Sequence, residues 1–285
     1  MPVLPKCSLI ISTYNWPSVL ECCLRSVIHL DHLPDEVIIA DDGSSRETAD
    51  LIAKYKNLVP VPVHHVWHPD KGFQLAKIRN RAFAQARHEY IIQIDGDTIL
   101  HPKFVHDHLK FSAPGFFLSG SRIMMGEGLS RKIIHEKRTS ISLLEKGINN
   151  RLNGIRFPVM SYLLSPVYRM GSKKYYVKGC NMSFWRSDLV AVNGYDESFV
   201  GWGREDSDLA IRLMNNGLVK RFLKQRAIMY HVWHREACRS MEEANVKRMN
   251  DAIEKKMTWV ENGIDRHSDG FAVSQPLGQT FGSRS

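Results

Sequence analysis

Four short stretches gather side chains that can do chemistry. "QIDGDTIL" sets Asp95 and Asp97 one residue apart behind an apolar run. Carboxylates so spaced can hold a hard divalent cation with one group and a nearby hydroxyl with the other, although the same letters also serve as solvated turn punctuation. Residues 196 to 217, "DESFVGWGREDSDLAIRLMNNG", pack five carboxylates around a Trp flanked by glycines. Glu205, Asp206 and Asp208 suit a helix start, where acids complement the dipole. That reading leaves the Gly-Trp-Gly turn unexplained, and Trp202 there is a flat stacking face of the kind sugars use. "MYHVWH" places His231 and His234 three residues apart. In a strand they point to opposite faces, so one ion takes both only if the strand ends or turns between them; otherwise one packs and one meets water. "ADDGSS" reads either as a plain turn or as an acid that accepts from a base N–H.

The elements that carry these residues follow from hydrophobic periodicity. "CSLIIST", "DEVIIADDGSS", "VPVHHVWH" and "YIIQIDGD" are short apolar runs ending in polar residues. Between them lie helical patterns, among them "PSVLECCLRSVI", which opens with Pro17, and "FQLAKIRNRAFAQAR", where Leu75, Ile78, Ala82 and Ala86 recur at helical spacing. The order β-α-β-α-β-α-β predicts an α/β fold: a mostly parallel open sheet with flanking helices, whose ligands bind beyond the carboxyl ends of the strands. Ser12, Thr13, Tyr14 and Asn15, then Asp41 and Asp42, then Asp95 and Asp97 should therefore meet in one crevice. No GxGxxG or GxxxxGK[ST] follows any strand, which argues against a dinucleotide fold or a P-loop.

Beyond residue 120 the pattern loosens, and residues 131 to 156 hold seven Lys or Arg against two Glu. "KYYVKGCNMSFWR" resumes regular structure, followed by a helix "SDLVAVNG" and a helix carrying Leu209, Ile211, Leu213 and Met214 that Gly217 can end. "RFLKQRAIMYHVWH" reads as one further strand, and "SMEEANVKRMNDAIEKKM" as a polar-rich helix. A single domain over 1–235 is expected, with a nucleotide-binding half at 1–100 and an acceptor-binding half at 101–235. A helical extension over 236–265 and a disordered tail over 266–285 complete the chain.

At 285 residues the chain can bury a large core, and 43% hydrophobic with 24% charged residues is ordinary for a soluble globular protein. A net charge of +9 draws anions: nucleotides, nucleic acid or anionic lipid. Five cysteines without CxxC spacing indicate neither a disulfide framework nor a zinc site and fit a reducing cytoplasm. The opening residues lack a signal peptide's apolar region, and no stretch approaches 18 apolar residues, so any membrane contact is peripheral, at the inner face. Two rivals stay in view. A nucleotidyltransferase would want a Gly- and Lys/Arg-rich loop that "STYNWPSVLE" lacks. A non-enzymatic basic protein for nucleic acid or a membrane surface has only a loop-bound cluster of charge and no nucleic-acid module.

Ser12-Thr13-Tyr14-Asn15, Asp41-Asp42-Gly43-Ser44, Asp95-Gly96-Asp97 and Glu205-Asp206, in that order and spacing, resemble a GT-A-fold glycosyltransferase of family 2. Lys178 to Gly217 resembles the C-terminal part of β-1,4-galactosyltransferases, whose Gly-Trp-Gly-Gly-Glu-Asp is matched by Gly201-Trp202-Gly203-Arg204-Glu205-Asp206. The resemblance covers about residues 5 to 236. It implies an inverting transfer of a hexose or N-acetylhexosamine from a UDP-sugar to a hydroxyl of a saccharide or lipid-linked saccharide, with Mn²⁺ or Mg²⁺ and without nucleic acid. Ser12, Tyr14 and Asp42 would cradle the uridine with Asp41 close by, and Arg79 would approach the diphosphate or its turn. Asp95 would hold the ribose or share the metal, and Asp97 would ligate it with His231 or His234. Trp202 would floor the sugar site, Asp206 would be the base, and Glu205 would bond acceptor hydroxyls or the local backbone. The family's second glycine is Arg204 here, a departure where a galactose pocket needs room.

Overall fold

Four apolar runs form the parallel heart of the main sheet: β1 (Cys7–Thr13), β2 (Glu36–Asp41), β3 (Val63–Trp67) and β4 (Tyr90–Asp95). The computed structural model describes residues 3–157, 159, 163–170, 174–235 and 238–267. Every residue of β1 and β2 is buried, as expected for strands covered on both faces. Alternation splits their side chains between two cores. Leu9 and Ile11 join Leu20 of α1 (Pro17–Ile28), Ile52 of α2 (Arg46–Tyr55) and Phe104 of α4 (Phe104–Phe111) on one side. Ile10 and Ile38 face Ile78 and Phe83 of α3 (Leu75–Gln85) on the other. Pro17 opens α1, where its missing N–H costs nothing.

The seven-stranded sheet has the order β3-β2-β1-β4-β8-β6-β9, with β6 at Phe116–Gly120, β8 at Asn181–Trp185 and β9 at Val219–Leu223. Only β8 runs against the others among these strands. The chain steps outward from β1 to β3 and returns on the other side of β1 as β4, so the crevice where ligands bind such sheets opens between the carboxyl ends of β1 and β4. In that register Ser12 lies opposite Asp95. Three later helices complete the layers: α5 (Glu127–Glu136), α6 (Arg186–Ala191) and α7 (Glu205–Asn215), the last two placing Leu189, Leu209 and Leu213 against the α3 side.

A three-stranded sheet, β5 (Thr98–Leu100), β10 (Met229–His231) and β7 (Ile123–Met124), crosses the end of β4. This corrects the single strand expected over 221–234. The chain breaks into β9 and β10, which belong to different sheets, and Gln225 and Ala227 take left-handed backbone (φ 58° and 45°) at the corner. The extension after 235 is part of the body. Helix α8 (Glu242–Glu254) packs on α7, and buried Asn245 donates to the Val200 carbonyl at 3.3 Å. Arg266 and His267 lie in a 3₁₀ turn, and His267 Nε2 meets Glu197 at 2.6 Å. Of the tail expected over 266–285, Arg266 and His267 belong to this turn, and residues 268–285 lie outside the described residues. No helix among the described residues is long and apolar enough to cross a membrane.

The 131–156 cluster is less bare than its charge count suggests. Arg131, Lys137, Arg138 and Arg156 pair with Glu127, Glu21, Glu145 and Asp107 respectively. What stands out instead is apolar: Leu144 is 87% exposed and Leu152 71%, with Phe157, Val159, Leu163 and Met170 also exposed.

Candidate active site

The carboxyl edge of β1, β2 and β4 brings the acidic motifs together, and a buried arginine joins them. Arg79, on the inner face of α3, is fully buried. Its Nε donates to Ser12 Oγ at 3.1 Å, Nη2 to Asp95 at 2.8 Å, and Nη1 to Asp206 at 2.9 Å and the Tyr195 hydroxyl at 3.4 Å. A buried cation needs such pairing to be tolerated. Arg79, expected to approach the diphosphate or its turn, directs its guanidinium to the protein's own side chains here.

Asp206 receives a second bond from Tyr195, at 2.7 Å to Oδ1, and Tyr195 is tied to Gln93. Oδ2 accepts no hydrogen bond among the described residues and lies where a Cβ on Gly179 would stand, so only glycine fits there. Glu205, next along α7, is nearly enclosed, and its Oε2 has no hydrogen-bond partner. Burial, helped by the neighbouring Asp206 charge and opposed by Arg79, pushes its carboxyl up to about 8. Burial likewise raises Asp95 to about 6 against the pull of Arg79. Two neighbouring acids thus meet different surroundings, one tied and partly open to water, the other enclosed, with Oε1 4.0 Å from Arg79 and Oε2 without a hydrogen bond.

Asp97 lies beyond Gly96, whose N–H donates to the Ser12 carbonyl at 2.7 Å; a Cβ there would come within 3.0 Å of that oxygen. Strand β10 pairs His231 with Thr98 and ends, so the chain turns before His234 and both imidazoles arrive at one carboxylate. His231 Nε2 is 3.3 Å and His234 Nε2 3.1 Å from Asp97 Oδ2, and one ligand atom from each of the three residues lies within 4.8 Å of the others. Burial opposes ionisation of Asp97, but the two histidines outweigh it and hold the carboxyl below its ordinary range. The Asp97 bond raises His234 to about 8, whereas burial lowers His231. Asp97 Oδ1 and His231 Nδ1 are buried without partners. One oxygen and two imidazole nitrogens with an orphaned carboxylate oxygen fit a divalent transition ion, Mn²⁺ better than Mg²⁺.

The expected nucleoside residues are placed unevenly. Tyr14 is half exposed, with its hydroxyl bonded to Asp70 at 2.8 Å. Asp41 closes its own turn by accepting from the Ser44 N–H, and its other oxygen meets His65 at 2.8 Å. Asp42 meets His68 at 2.7 Å and accepts from the Gln74 N–H at 2.9 Å. Trp202 stands on the turn before α7, 37% exposed. Arg204 holds left-handed backbone (φ 75°), the conformation a glycine would supply, and its side chain pairs with Glu242 at 3.3 Å. Tyr195, Gln93 and Gly179 were missed by sequence reasoning. Their roles depend on contacts made across 11 to 102 residues of chain, and no local pattern marks them.

The model described as "Glycosyl transferase family 2" matches residues 8–169, more than half of the chain. The chain belongs to glycosyl transferase family 2. A second model, "N-terminal domain of galactosyltransferase", matches residues 161–235, the span that holds the Trp202 turn, Asp206 and both histidines. Among curated relatives of this family 2 member, chondroitin synthase of Escherichia coli is 25% identical over 243 residues, covering 79% of this chain and 34% of that protein. Hyaluronan synthase of Pasteurella multocida is 27% identical over 229 residues, covering 74% and 23%. The chain therefore spans about a third or less of these relatives' length. Among solved structures, S. aureus TarS 1-349 superposes with a TM-score of 0.60 at 18% identity, covering 88% of this chain and 65% of that one. The mannosyltransferase PcManGT from Pyrobaculum calidifontis, in complex with GDP-Man and Mn²⁺, superposes with a TM-score of 0.58 at 17% identity, covering 86% and 61%. The fold is the GT-A arrangement of these enzymes.

Proposed function

We propose that this family 2 member is an inverting glycosyltransferase that moves a hexose or N-acetylhexosamine from a UDP-sugar to a hydroxyl of a saccharide or lipid-linked saccharide. The observation that carries the reading is the Asp97, His231 and His234 cluster, with its orphaned Oδ1, in the same crevice as Asp206. UDP is the nucleotide in another of the TarS 1-349 structures, with a TM-score of 0.58 to this chain.

The surroundings of the residues support the following roles. Asp97, His231 and His234 would hold a divalent cation, Mn²⁺ or Mg²⁺, which would neutralise charge on the leaving diphosphate. Ser12, Tyr14, Asp42 and Asp95 face the nucleoside side. Asp41 supports the turn beside them. Trp202 would offer its face to the acceptor sugar, and Glu205 would bond acceptor hydroxyls. Arg79 and Tyr195 fix Asp206 through Oδ1, so Oδ2 is left to take the proton of the attacking hydroxyl. Inversion needs this separation, with a base on one side of the anomeric carbon and the leaving group held on the other. Residues 1–100 supply most of the nucleotide side and 101–235 the acceptor side.

The exposed Leu144, Leu152, Leu163 and Met170, among cationic neighbours such as Lys146 and Arg151, support peripheral contact with an anionic membrane surface at its inner, cytoplasmic face. A panel of nucleotide sugars tests the enzymatic reading. In Mn²⁺, slow donor hydrolysis should appear with a UDP-sugar and cease in excess EDTA. No hydrolysis of any UDP-sugar, or full activity in EDTA, would overturn it.

A further inference from the structure

With Arg79 spent on internal carboxylates, the crevice needs another cation for a diphosphate, and the topology offers one. Strand β6 runs parallel to β9 and antiparallel to β8, which itself opposes β4. The carboxyl end of β6 therefore opens on the same edge of the sheet as Asp95 and Asp97. Arg122 lies two residues beyond that end and one before β7, whose Met124 pairs with His231. It sits where the two sheets meet, on the metal-site side of the crevice.

Among the described residues no carboxylate meets Arg122 at ion-pair distance. It is half-buried and has as its hydrogen-bond contact the Cys180 sulfur at 3.9 Å from Nη1. A thiol is a weak acceptor for a guanidinium. Cys180 is the neighbour of Gly179, which lies against Asp206. Asp97 is already shared by both histidines. A divalent cation at those three residues would repel the guanidinium unless an anion lay between them. A half-buried guanidinium without a carboxylate at ion-pair distance keeps N–H donors free for an anion in the crevice.

We propose that Arg122 binds the diphosphate of the nucleotide donor, as a second cationic contact beside the metal site. The inference rests on the reading of the protein as a user of nucleotide-diphosphate sugars. A planar guanidinium suits phosphate oxygens, and charge-assisted bonds of this kind are among the stronger ones a protein makes. The same contact would hold negative charge as the sugar–phosphate bond breaks, so it serves the leaving group as well as binding.

Calorimetric titration of the full chain with UDP, GDP and uridine, in Mn²⁺ and without turnover, tests this. Arg122→Met should weaken nucleoside diphosphate binding roughly 10- to 100-fold while leaving uridine binding within about twofold. Arg122→Lys should recover part of the loss. Manganese binding without nucleotide, measured on the same preparations, reports that each variant is folded with its metal site formed. Diphosphate binding by Arg122→Met within about twofold of the wild type, or an equal loss for uridine, overturns the inference and leaves the donor reading standing. A wild-type protein that binds neither UDP nor GDP removes the donor reading and this inference with it.

Discussion

At the carboxyl edge of the main sheet, buried charges are tied through one guanidinium; between residues 144 and 170, leucines and a methionine stand in water. The first region has Asp95, Asp206, Ser12 and Tyr195 converging on Arg79, all but Tyr195 held on strands or helices. The second is held by short 3₁₀ turns and ion pairs to neighbouring elements, such as Arg156 to Asp107. One region arranges its groups for chemistry by pairing them internally. The other leaves apolar side chains unpaired, which a folded surface tolerates where something else covers them. The contrast separates a site whose charges the fold itself pairs from an apolar surface that it leaves exposed, the surface proposed above to meet a membrane.

The largest expected effect tests the first half of that contrast. Arg79→Met keeps the side-chain bulk but leaves Asp95, Asp206 and Glu205 without their shared cation. It should cost about 3–5 kcal/mol, read as a fall of about 10 °C in the thermal midpoint. An unchanged midpoint would show that the hub is not what holds the edge together.

A smaller effect concerns Glu205. Its folded pKa is raised to about 8, above the ordinary carboxylate range, so its contribution is fully present at acid pH and is lost as pH climbs through about 8. Glu205→Gln should therefore flatten the fall in stability between about pH 5 and 8, and the variant should melt higher than the wild type at pH 8. Parallel pH profiles for the two proteins would contradict the enclosure of this carboxyl.

The smallest stability effect belongs to the other region. Replacing Leu144, Leu152 and Leu163 together by Ser should change stability by no more than about 0.5 kcal/mol per site. It should nevertheless reduce co-sedimentation with anionic vesicles several-fold, in a salt-sensitive way. A cooperative loss of stability would place these leucines in a core, and unaltered sedimentation would leave the surface without its proposed partner.

Much of the first region was legible in the sequence because it is built from local pattern. Four buried apolar runs alternating with helices place Ser12, Asp41, Asp42, Asp95 and Asp97 at one edge by topology alone. Arg79 was visible as a residue of α3, but not its burial, which depends on Asp206 lying 127 residues away. Tyr195 and Gly179 escaped for the same reason. The break of 221–234 into β9 and β10 was hidden because its apolar residues run through the corner, and left-handed Gln225 and Ala227 carry no glycine to announce the turn. The second region had charge as its readable feature, and its neutralisation by distant acids such as Glu21 and Asp107 appears only in three dimensions.

The division of labour between the metal-side cluster and Asp206 is tested most directly by measuring Mn²⁺-dependent UDP binding and sugar transfer on the same preparations of wild type, Asp97→Ala and Asp206→Asn. Asp97→Ala should lose metal-dependent UDP binding and transfer together. Asp206→Asn should bind Mn²⁺ and UDP within about twofold of the wild type and lose on the order of 10²-fold or more in turnover. Near-normal turnover by Asp206→Asn, or UDP binding by Asp97→Ala as tight and as Mn²⁺-dependent as in the wild type, would contradict the account.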